Sequence, residues 1–154
     1  MSDYAQNPYL NPAPQPPLAP AQEKQFALLT HLLSAFFGFI PALIMFLLYK
    51  DRGPFVRAHV VTEWNFQLTA LIAQGIPVVI ALVGWATSFS SMLVSADSQS
   101  VSPAVPAGIA LFFIGYVLAF GVGVARLVFC IIAAVAAQKG RFYRYPVAIR
   151  FVRV

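Results

Sequence analysis

Between Ala107 and Ala137 the sequence carries one charged residue, Arg126. A run of that length matches a bilayer-crossing helix, which needs about 20 mostly apolar residues at about 1.5 Å rise each. Two more stretches qualify. One covers 26–48, with Thr30, His31 and Ser34 as its polar interruptions, and the other covers about 58–87 and is largely apolar from Leu68. Charged residues make up 10% of the chain, against about 25% in an average soluble domain, too few to coat a water-facing surface. The expected fold is therefore all-α: an integral membrane three-helix bundle over 23–154, with spans at about 26–48, 58–87 and 107–137. Six prolines and no base mark 1–22 as a disordered tail, and the basic C-terminal segment is expected to lie along the membrane interface.

Lysine and arginine set orientation, because basic loops are retained in the cytoplasm. The connection after the first stretch carries Lys50, Arg52 and Arg57; the C-terminal tail carries Lys139, Arg141, Arg144, Arg150 and Arg153. Three full spans leave Lys24 alone on the other side. The expectation is a multi-pass protein of a bacterial plasma membrane, with the N-terminus outside and the C-terminus cytoplasmic. One alternative stays open: Gly38 and Pro41 interrupt the first stretch, and a re-entrant hairpin at FGFIP would make the N-terminus cytoplasmic. Bases at one membrane edge read as attraction to anionic headgroups, and nucleic-acid binding is not expected.

Several polar residues fall inside the apolar stretches, where they are costly unless they face protein or water. At about 100° per residue, His59, Glu63, Gln67 and Gln74 share a narrow sector of the second stretch. Gly115, Ala119 and Gly123 form a small-residue face on the third, of the kind that lets membrane helices pack closely. Arg126 lies on that face, about 20 Å from an edge at Lys139. Its level falls between Gln67 and Gln74, which predicts a polar network of Glu63, Gln67 and Arg126. Counted from Leu48, His31 shares a level with Gln74, and the two are expected to meet. Cys130 reads as an inert filler.

No catalytic constellation emerges: there is no glycine-rich phosphate loop and no nucleophile elbow. One cysteine and scattered histidines imply no metal site. No cofactor is implied, and the chain is not expected to be an enzyme.

Three stretches carry a resemblance: ALLTHLLSAFFGFIPALIMFLLYKD (27–51), PFVRAHVVTEWNFQLTALI (54–72) and AAVAAQKGRFYRYPVAIRF (133–151). Together they resemble a bacterial family of small membrane proteins of unassigned function. That family is similar to the twenty-kilodalton component of the chloroplast inner-envelope import (Tic) machinery. The match runs through Phe55, Val56, Arg57, His59, Asn65, Phe66, Gln67 and Leu68, then Lys139, Gly140, Tyr143, Arg144, Tyr145 and Pro146. The resemblance implies a membrane position and a cytoplasmic rim built from Arg57, His59, Asn65, Lys139, Gly140, Tyr143, Tyr145 and Pro146. The leading functional expectation is an accessory or assembly subunit, partnered by lipid with anionic headgroups and by a larger membrane protein or further copies of itself. The alternative is a homo-oligomeric transport or protein-translocation component with the polar stripe lining a path.

Overall fold

The structure, a computed structural model, describes residues 16–97 and 100–153; the expected tail over 1–15 lies outside them. The described residues form α1 (Pro20–Phe37), α2 (Phe39–Tyr49), α3 (Pro54–Val94), a 3-10 turn (Ser95–Asp97) and α4 (Ala104–Gln138), with no strand.

α1 and α2 come from the first apolar stretch, which is not the single span expected. The chain reverses at Gly38, whose φ of 73° and ψ of −139° lie where a side chain is strongly disfavoured. Pro41, in the first turn of α2, needs no intrahelical donor there. The two helices run back along each other: Phe26 stacks on Tyr49 with ring centroids 4.3 Å apart, and the Leu18 amide donates to the Arg52 carbonyl at 2.8 Å. α2 has 11 residues, about 16 Å, too short to cross a bilayer. α1 therefore starts at the end of the molecule that holds 139–145, the arrangement that the hairpin alternative at FGFIP implies and a single full span does not. Helix also begins at Pro20, inside the segment expected to be disordered.

The start of α3 is capped from α1. Glu23 Oε2 accepts from the amides of Phe55 (2.8 Å) and Val56 (3.0 Å), filling donors that a helix N-terminus leaves free and placing negative charge at its positive end. Pro54 takes the first helical position, where its missing donor costs nothing. α3 and α4 then run antiparallel along their whole length. Ser88 donates to the Val105 carbonyl at 2.9 Å, and Gln74 to the Ala119 carbonyl at 3.3 Å. Gly84, Gly108 and Gly115 sit where a Cβ would strike the backbone of the facing helix, so the two helices meet backbone to backbone. Gly123, expected on the same seam, has open space instead.

Burial is inverted relative to a water-soluble fold. The largest fully buried side chains begin with His31, His59, Gln67 and Glu63, while Phe36, Phe37, Leu47, Leu82, Met92, Val117 and Phe120 are exposed. α3 and α4 are long and apolar enough to cross a membrane, with mean hydropathy of 2.0 and 2.4 over their most apolar stretches. Only 22% and 17% of those stretches is buried.

Candidate functional site: a buried polar cluster and the basic rim above it

The polar cluster lies where α1, the first turns of α3, the last turns of α4 and the C-terminal segment converge. α1 runs parallel to α3, so His31, about 17 Å along its helix, reaches the level of Glu63, about 14 Å along α3. His31 Nδ1 lies 2.6 Å from Glu63 Oε2, with both side chains fully buried. His31 Nε2 lies 2.8 Å from His59 Nδ1. Gln67 Nε2 donates to Glu63 Oε1 at 2.7 Å, and Tyr145 donates its hydroxyl to Glu63 Oε2. A carboxylate has about four acceptor positions. His31, Tyr145 and Gln67 fill three of them, and the Cys130 thiol, 3.5 Å from Oε1, stands at the fourth.

Beyond Gln67 the cluster reaches Arg126, which approaches Gln67 Oε1 and the Ala35 carbonyl, both at 3.5 Å. The expected Glu63–Gln67–Arg126 series is thus present as contacts, with Gln67 between the two charges. The expected His31–Gln74 contact is not. Counting the depth of His31 from Leu48 assumed one straight helix; the reversal at Gly38 moves His31 to the level of Glu63. Gln74 instead borders a cavity of about 290 Å³ with Gly38, Gln67, Gly123 and Arg126.

The rim residues take different parts. Asn65 pins the C-terminal segment, donating to the Val152 carbonyl at 2.7 Å and accepting from the amides of Phe151 and Val152 at 3.1 and 2.9 Å. Thr69 accepts from the Ile149 amide at 2.9 Å. Tyr145 stacks flat on Phe66, with centroids 3.8 Å apart, and is buried. Burial, and after it the Glu63 carboxylate, pushes the Tyr145 hydroxyl well above the ordinary phenol range. Gly140 (φ 68°) ends α4 beside the Lys24 side chain, so the base left alone by three spans joins the others. Arg57, Lys139 and Pro146 are exposed.

Sequence reasoning missed Tyr145 as a cluster member and Glu23 as the cap of α3. It treated Cys130 as filler, although its thiol touches both Gln67 (3.4 Å) and Glu63. The one signal for Tyr145 was its place in the Tyr-Arg-Tyr-Pro motif; Glu23 gave none. Among the described residues no group of three His, Cys, Asp or Glu side chains is placed to hold a metal ion.

An apolar exterior around a polar interior, on two long antiparallel helices with a short helical hairpin beside them, defines a small all-helical protein of membrane type. A model of the MamF/MmsF magnetosome magnetite crystal formation protein family matches residues 22–152, and the chain belongs to that family, a family of small bacterial membrane proteins. No curated protein and no solved structure matches the chain. The comparisons lend no support to a likeness to the chloroplast import component.

Proposed function

We propose that the chain is an integral component of the magnetosome membrane and assists magnetite crystal formation as a non-enzymatic accessory subunit. The observation that carries this reading is the inverted burial, taken with the family: a polar interior and an apolar exterior suit lipid, not water. In this reading α3 and α4 cross the bilayer, and the α1–α2 hairpin enters from the basic side and returns to it. Every lysine and arginine except Arg126 then lies on that side, which is cytoplasmic by the positive-inside rule. The serine-rich connection around 95–103 faces the interior of the compartment, where the crystal grows.

An accessory role fits the cluster better than catalysis or transport. Glu63 is filled by its own neighbours and is fully buried. Gln67, in the middle of the stripe, is 2% exposed and donates to Glu63, which favours a hydrogen-bonded seam between helices over a wetted path. The exposed apolar flanks of α3 and α4 are the surfaces that lipid and a larger membrane partner would cover.

The test has two arms. Deleting the gene in a magnetite-forming bacterium should change crystal size while membrane compartments persist, read by electron microscopy. A pull-down of the tagged protein in mild detergent should bring a larger partner in fixed ratio. Unchanged crystals would sink the reading. A homo-oligomer without partners, together with solute flux in liposomes, would replace it with transport.

A further inference from the structure

At the basic rim, α3 and the C-terminal segment border a cavity of about 510 Å³ that the polar cluster meets only through His59 and Tyr145. Arg144, Arg150 and Arg153 line it together with His59, Thr62 and Tyr143, and no carboxylate is among the described lining residues. Three guanidinium groups around one cavity repel one another unless an anion sits between them. Arginine's planar fork matches the oxygens of a phosphate better than a lysine ammonium does.

The cavity is built, not a chance gap between surface side chains. Its floor is His59, which is 1% exposed; its Nδ1 meets His31, while its Nε2 is buried without a well-formed hydrogen bond among the described residues. Its far wall is held by the three Asn65 bonds to Phe151 and Val152. Phe142, 69% exposed, lines the cavity, and Val147 and Phe151 of the same segment are exposed at 58% and 48%, an apolar collar on the segment that carries the arginines.

We infer that this cavity is a phosphate-group site, held by Arg144, Arg150 and Arg153 with His59 beneath. The phosphate comes from an anionic phospholipid headgroup or from free phosphate. The lipid source rests on the membrane position proposed above, whereas the site itself does not. A headgroup seated here would clamp the C-terminal segment against α3 and leave its acyl chains along the apolar collar.

The test uses the full chain in non-ionic detergent, with bound phosphatidylglycerol and phosphatidylcholine counted by native mass spectrometry. Phosphatidylglycerol should be retained selectively. The Arg144→Gln/Arg150→Gln variant should weaken it by about tenfold or more, as expected for losing charge-assisted contacts. Lys50→Gln/Arg57→Gln removes the same charge from the same edge outside the cavity and should leave binding unchanged. Circular dichroism confirms that both variants fold. Displacement of the lipid by millimolar inorganic phosphate would assign the site to the phosphate group alone; resistance to displacement would assign it to the lipid headgroup. Equal weakening by both variants, or no preference for phosphatidylglycerol over phosphatidylcholine, overturns the site. Alkaline extraction from vesicles reports on the membrane position separately.

Discussion

Glu63 is the residue whose loss should cost most. It is fully buried, and removing one member of a buried pair strands the other. Glu63→Leu should therefore destabilise the protein by about 3–5 kcal/mol, read by thermal unfolding in detergent. Pairing it with His31→Phe should recover part of that loss, because no stranded imidazole remains; a double variant no better than the single would show that the pair is not the unit. Tyr145 allows a separate test. Its hydroxyl titrates well above the ordinary range in the folded state, whereas an unfolded tyrosine ionises at about pH 10. The neutral hydroxyl thus contributes stability that is fully present below about pH 10 and is lost as pH rises from there toward the folded value. Tyr145→Phe keeps the stack on Phe66 and should flatten that alkaline fall in unfolding temperature. An unchanged fall would remove Tyr145 as its source.

At the scale of elements, α3 and α4 were readable from apolar length, whereas the hairpin was legible only as an alternative to a full span, marked by Gly38 and Pro41. A 23-residue apolar run has the same composition whether it forms one helix or two. The difference rests on the backbone angles of Gly38, and a glycine close to a proline permits either outcome. Gly38→Ala should cost about 1–3 kcal/mol, the range for a residue held in a sparsely populated conformation, because the new Cβ also meets the Arg126 guanidinium. Gly75→Ala is the control: it sits in open space on α3 and should stabilise slightly, as alanine favours helix over glycine. Thermal unfolding of the two variants side by side decides whether the hairpin turn is special. The Glu63–Gln67–Arg126 seam was legible because all three lie on long regular helices, where angle and depth can be counted. Tyr145 and Glu23 escaped because each acts from one segment on another, and the distance between those segments exists only after folding.

For the whole molecule, the stripe reads as a seam, which solvent access can check. Cysteines placed at Gln67 and Gln74 in a Cys130→Ala background should stay unreactive toward a membrane-impermeant thiol reagent, whereas one placed at Pro146 should react. Rapid labelling at both helix positions would show a wetted path and favour transport.

The hairpin also gives the molecule a taper. Among the described residues, four helices and the C-terminal segment share the cross-section at the basic end, and past Gly38 α3 and α4 alone continue. Embedded in a bilayer, such a body occupies more area in one leaflet than in the other. It is least strained where the leaflet holding its broad end is the convex one. On a small vesicle with the basic end outward, the shape of the chain and the curvature of its membrane coincide.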